Sequence, residues 1–167
     1  MGRSEEDPTS VVVNPGKAED QEFIYLNEKI GERIQPHQKD GVQFMWRELT
    51  GDHKNLQGCL LAHTMGLGKT MQVIAVLVTI AEAAQSPNEN IRSQVPKALH
   101  KSQTMVLCPP SLVENWYEEF LTWAPSPIDD NVGKIRCITS GISLNERVLS
   151  IKAWNNDSGI LLLGFTL

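Results

Sequence analysis

Residues 61–73 read LAHTMGLGKTMQV, a glycine-rich turn set between an apolar run and a stretch with apolar residues at helical spacing. Gly66 and Gly68 lack Cβ atoms, so the backbone there can come close to a bound group. Free amides and the dipole at the start of the following helix favour an anion. Lys69 would bring a positive charge to the β- and γ-phosphates of a nucleotide, which makes it the candidate catalytic residue. Thr70 would offer its hydroxyl to Mg²⁺. The alternative is an ordinary helix start with two glycines and a solvated lysine. A buried strand before the loop and a helix after it are the setting a phosphate site requires, and they favour the first reading.

The strict form G-x-x-x-x-G-K-[ST] places glycine where this chain has His63. Small-molecule kinases usually keep that glycine and helicase-like motors often do not, so the departure points to a motor.

Around the loop, the pattern alternates strands and helices. Pro36 suits the first turn of a helix, and Val42, Met45, Trp46 and Leu49 then share one face. Gly58 to Ala62 reads as an apolar strand. The helix from about Thr70 to Ala84 carries a buried stripe of Val73, Ile74, Leu77, Ile80 and Ala81, and Val76 and Val78 make it apolar nearly all round. Residues 85–103 form a polar insertion with two prolines, expected on the surface. TMVLC is a strand ended by Pro109 and Pro110. Ser111 and Glu114 read as a capping box opening the next helix. KIRCITSG, SLNERVLSIKAW and GILLLGF follow as strand, helix and strand. Strands apolar on both faces belong in a parallel sheet covered by helices on each side. The expected fold is therefore α/β.

Composition excludes several classes. With 167 residues, 41% apolar and 21% charged, the chain has the makeup of one soluble domain. No apolar run approaches the roughly 20 residues that span a bilayer, and Val11 to Val13 is too short for a signal peptide. The net charge of −5 is concentrated in the first 33 residues, where eight acidic residues face four basic ones. No overall basic footprint argues for nucleic acid. Residues 1–22 are polar and acidic and are expected to be disordered. The spacing of Cys59, Cys108 and Cys137 suggests three small buried residues rather than a metal site, and the four histidines are scattered.

Three segments in order resemble the SWI/SNF-type ATPases of helicase superfamily 2. GCLLAHTMGLGKTMQV is similar to their motif I, and the form with His63 is most similar to the ATRX-like branch. IQPHQKDGVQFMW, about residues 34–46, resembles the Q motif, in which the glutamine, here Gln38, reads adenine. A glutamine can both donate and accept, which suits that base edge. MVLCPPSLVENWYEEF, residues 105–120, resembles the segment of motif Ia (about 105–116), whose loop touches the DNA backbone; Ser111 would hold a phosphate there. The resemblance implies a partial RecA-like lobe over 23–167, with the phosphate loop at 62–70. It implies ATP and Mg²⁺ as cofactors, with Gln38, Met65, Gly66, Leu67, Gly68, Lys69 and Thr70 around the nucleotide and Thr70 on the metal. Double-stranded DNA or chromatin would be the partner and the nucleus the location.

Hydrolysis in that family needs an acidic pair ending an apolar strand. Asp129 and Asp130 follow prolines, and Asp157 sits in a turn; neither fits. The sequence therefore reads as the front of one motor lobe, able to bind ATP but not to hydrolyse it alone. Two further readings are a P-loop kinase of small molecules and a non-enzymatic interaction fragment. In the second, the last strand would be an exposed apolar edge prone to self-association. Trp46, Trp116 and Trp123 fall on apolar helical stripes and read as core aromatics.

Overall fold

The computed structural model describes residues 10–51 and 58–165. They divide into two compact units, Met1–His100 and Lys101–Leu167.

The first unit is built on two long helices. After the single turn α1 (Glu28–Gly31), α2 (Pro36–Thr50) begins at a proline, as the missing N–H allows, and buries Val42, Met45 and Trp46. It packs on α3 (Lys69–Ala84). Ile74, Ala75, Val76 and Val78 are almost fully buried, so the all-round apolar pattern of α3 is matched by cover on nearly every side.

Much of the segment expected to be disordered is packed. Val12 pairs antiparallel with Tyr25, and Val13 N donates to Ile24 O at 2.8 Å. Asn14 is the clamp. Its side chain accepts from Ile24 N (2.7 Å) and donates to Glu22 O (3.0 Å) and to Gln94 Oε1 (2.7 Å). The acidic composition of the first 22 residues hides Val13, which is buried with Ile24, Leu26 and Ile30. One buried valine and one fully bonded asparagine outweigh the polar average. The insertion at 85–103 is likewise anchored. It carries α4 (Glu89–Arg92) and a 3-10 turn at Lys97–Leu99, and it buries Gln94 and Val95.

The second unit is a three-stranded parallel sheet. Strand β1 (Gln103–Cys108) leads through a 3-10 turn at Pro110–Leu112 into α5 (Val113–Trp123), then α6 (Ile128–Asn131) and β2 (Ile135–Ile138). Helix α7 (Leu144–Asp157) returns the chain to β3 (Gly159–Gly164). The order is β1-β3-β2. The first crossover passes over β3 to reach β2, and the second comes back. Right-handed crossovers running in opposite directions put α5 and α7 on opposite faces of the sheet. The expected α/β fold, with a parallel sheet between helices, is what the structure has.

Three expectations are corrected. Gly58–Ala62 forms no strand, and Leu60 is 82% exposed. An apolar run becomes a strand only where a neighbour supplies ladder partners, and the sheet of the described residues contains β1, β2 and β3 alone. Cys59 in that run is exposed, unlike the buried Cys108. The last strand, β3, is not an edge but the centre, with Ile160, Leu161 and Leu162 at 0% exposure. Each such side chain contributes roughly 1.5–3 kcal/mol by leaving water. The exposed apolar edge is instead β1, where Met105 and Leu107 alternate with covered neighbours.

The capping box also moves. Leu112 N donates to Pro109 O (2.9 Å), closing a 3-10 turn, so α5 starts at Val113 and Glu114 is out of register with Ser111. A capping box does form at α7. Glu146 accepts from Ser143 N at 2.8 Å, and Ser143 Oγ accepts from Glu146 N at 3.3 Å. The Ser143 hydroxyl, which donates to Glu146 Oε2 at 2.8 Å, and then the Ser143 amide hold the Glu146 carboxyl below its usual pKa. Of the three tryptophans read as core aromatics, one lies in the core and Trp116 and Trp123 are only half-buried. Trp46 is buried, Trp116 packs 6.3 Å from the Phe120 ring, and Trp123 Nε1 donates to Glu119.

Candidate nucleotide site

The glycine loop of the first unit enters α3 through two left-handed residues, Gly66 at φ 85° and Gly68 at φ 72°. Any other L-residue would be strained at either position. A Cβ on Gly66 would meet nothing within 4 Å, whereas one on Gly68 would lie 2.4 Å from Gln38 Nε2. The first bond of α3 runs from Gln72 N to Gly68 O at 3.1 Å. The amides of Gly68, Lys69, Thr70 and Met71 lie ahead of it, where a helix has donors to spare for an anion.

Lys69 folds back over the loop. Its ammonium donates to the carbonyls of His63 (2.8 Å) and Thr64 (2.9 Å). These two bonds tie the start of α3 back to the beginning of the loop. His63 thus contributes a carbonyl, and its ring lies near Gly41. Thr70, the second residue of α3, is half-buried. Met65 at the loop's apex is 94% exposed.

Gln38 is brought to the same place by the first turn of α2. Its Oε1 accepts from Gln35 N (3.0 Å), which turns Nε2 toward the Leu67 carbonyl at 3.4 Å. The two sequence segments singled out, 34–46 and 62–70, therefore meet. Sequence reasoning missed Gln72, which is completely buried and donates to that same Leu67 carbonyl at 3.0 Å. A lone amide in an otherwise apolar helix, one turn from Lys69, was the available signal.

The donor set fits a polyphosphate. The amides from Gly68 to Met71 precede the first bond of α3, and the Lys69 ammonium is tied to the carbonyls of His63 and Thr64 in the same loop. For a divalent cation the loop offers the Thr70 hydroxyl. Among the described residues no cluster of three or more His, Cys, Asp or Glu forms a metal site. Ser111 belongs to the second unit, exposed on the 3-10 turn after β1. Asp129 and Asp130 are exposed on α6, and Asp157, at the end of α7, pairs with Arg136 at 2.5 Å. Burial pushes the Cys108 and Cys137 thiols up, with Glu114 adding to the second, so neither is a ready nucleophile.

A separate cleft of about 870 Å³ lies between residues 13–17, α2 and residues 93–96. No residue of the glycine loop lines it. Its buried amides, Asn14 and Gln94, bond to each other.

The family model for the SNF2-related domain matches residues 37–165. The chain belongs to the SNF2-related family. The match begins beside Gln38 and runs through the glycine loop to the end of β3. This SNF2-related chain is 28% identical over 162 residues to the human transcriptional regulator ATRX, which covers 94% of the chain and 6% of that protein. It is 31% identical over 164 residues to the Arabidopsis thaliana protein CHROMATIN REMODELING 20, covering 93% of the chain and 10% of that protein. A RAD54-like DNA repair and recombination protein of Drosophila yakuba is 33% identical over 117 residues, 70% of the chain and 12% of that protein. These similarities place it among the SWI/SNF-type ATPases, with ATRX-like relatives. The chain spans between 6% and 12% of the length of these relatives.

Proposed function

We propose that this chain is the ATP-binding part of a DNA-dependent ATPase of the chromatin-remodelling type. The observation that carries the reading is one loop that joins the unpaired amides at the start of α3, the Lys69 ammonium on its own carbonyls, and the Gln38 amide on Leu67 O. ATP would seat its phosphates on the amides from Gly66 to Thr70. Lys69 would exchange the His63 and Thr64 carbonyls for phosphate oxygens, and Gln38 would turn to the adenine edge. Thr70 would hold Mg²⁺ through its hydroxyl; the metal, when bound, offsets phosphate charge. The ATP-binding domain would span residues 23–167, with 10–22 packed on it.

Partners follow from the relatives, which are named as a transcriptional regulator, a chromatin-remodelling protein and a DNA repair protein. Double-stranded DNA or chromatin in the nucleus is the corresponding substrate here, with Ser111 as one phosphate contact. Of the acidic residues weighed as a catalytic pair, Asp129 and Asp130 lie exposed on α6 and Asp157 pairs with Arg136, so the chain by itself would bind ATP without turnover. Calorimetry should give a saturable ATP–Mg²⁺ isotherm, while phosphate release stays at the buffer rate with or without duplex DNA. No binding heat would sink the reading; release that disappears in Lys69→Ala would sink the claim of no turnover.

A second reading rests on β1. Its outer edge carries Met105 (43% exposed) and Leu107 (59%), an apolar ribbon with free ladder groups. Self-association through that edge would give a sedimenting mass that rises with concentration. Met105→Lys and Leu107→Lys, at the exposed positions, leave the ladder groups in place but add charge beside them and should return it to the monomer value. An unchanged association would exclude this edge.

A further inference from the structure

We propose that Gln72 is a positioning residue for the phosphate loop: it holds the Leu67 carbonyl so that Gln38 is free to leave it for a purine base. This rests on the nucleotide reading of the same site.

Leu67 stands between the two left-handed glycines, so the direction of its carbonyl sets how the flanking amides point. That oxygen has two amide donors, Gln72 Nε2 at 3.0 Å and Gln38 Nε2 at 3.4 Å. The shorter bond comes from the residue that is entirely buried. Gln38 is half-buried, and a single side-chain amide cannot serve both the loop and an adenine edge. Once it turns to the base, Gln72 alone retains the loop.

Two unfavourable features converge on Gln72. Its Oε1 is buried with no partner, which a well-packed apolar side chain would avoid. Beside it, α2 carries a glycine in mid-helix, where glycine is disfavoured. A Cβ on Gly41 would lie 1.9 Å from Gln72 Oε1. The glycine is the space the amide occupies. An incompletely satisfied amide and a helix-weakening glycine at one spot are accounted for by what the other end of that amide does, which is to fix Leu67.

The test titrates the full chain with two probes, ATP–Mg²⁺ and inorganic tripolyphosphate–Mg²⁺. Gln72→Met keeps the length and removes the amide. It should weaken ATP by about tenfold, the worth of one hydrogen bond, and tripolyphosphate by less, because without a base to read Gln38 stays on the Leu67 carbonyl. Gln38→Ala should reduce the preference for ATP and leave tripolyphosphate within about twofold. A Gln72→Met protein that melts lower but binds both probes as the wild type does has lost only packing, and the proposal is overturned. Should that variant not fold, the wild-type side-chain amide resonances decide. On adding ATP, the Gln38 amide should shift and the Gln72 amide stay. The reverse overturns the proposal. If the wild type binds neither probe, it is the nucleotide reading that fails. Amide exchange at Gly66–Lys69 in the free protein then settles the positioning role, faster in Gln72→Met if Gln72 holds the loop and unchanged if it does not.

Discussion

Lys69→Ala is expected to lower ATP affinity by on the order of a hundredfold while barely moving the melting temperature. A hydrogen bond to a charged group is worth about 1.5–3 kcal/mol, and the upper part of that range corresponds to a hundredfold change in affinity. The ammonium would meet phosphate oxygens carrying full negative charge, which places it in that upper part. The folded state loses less. In the free protein the same group bonds two carbonyls, His63 O and Thr64 O, at the partly exposed mouth of the loop. Water replaces such bonds at a net cost of about 1 kcal/mol or less, or roughly 2–4 °C in a chain of this size. Calorimetric titration beside a thermal melt separates the two quantities. Equal affinities in mutant and wild type would remove Lys69 from the site. A collapse of the melting temperature would make it structural.

Gly159→Ala carries the largest expected loss of stability. Gly159 opens the central strand β3 at φ 94°, in a region that costs other residues about 1–3 kcal/mol. An added Cβ would lie 2.3 Å from Lys134 O and 2.8 Å from Lys134 N, both backbone atoms. They cannot swing aside as a side chain would. Lys134 O accepts from Ile160 N at 3.0 Å, the first rung joining β2 to β3, and Gly159 N donates to Ser102 O beside β1. Conformational strain and a displaced rung together should exceed about 3 kcal/mol. That is a large part of the roughly 5–15 kcal/mol that holds a domain folded. Urea unfolding followed by circular dichroism should show a markedly lower midpoint. A shift below about 0.5 kcal/mol would mean that the strand start can relax, and that the close packing of Gly159 on Lys134 is not required.

Long periodic segments were legible in the sequence. Helices α2 and α3, the strands at 103–108 and 159–164, and the glycine loop are each marked by a local pattern with clear punctuation, such as Pro36 before α2 and Gly68 before α3. What local pattern cannot convey is the partner. Gly58–Ala62 has the composition of a buried strand, but a strand is defined by its neighbours. The order β1-β3-β2 depends on where crossovers land, and GILLLGF reads the same in the middle of a sheet as at its rim. The capping box shows a finer limit. Both SLVE and SLNE contain the motif, but Pro109 and Pro110 set a 3-10 turn that shifts one of them out of phase. Gln38 was found by resemblance. Gln72, which bonds the same carbonyl, was overlooked because an amide on a helix face is ordinarily solvated; only its burial gives it meaning.

The outward side chains of β1 bear on the chain's fate in a cell. Between Gln103 and Cys108 there is no lysine, no proline and no bulge of the kind that usually guards a sheet margin. Chaperones and proteases recognise such greasy, unpaired backbone. How much of this polypeptide accumulates would then depend on a race between whatever covers that margin and the quality-control machinery that captures it.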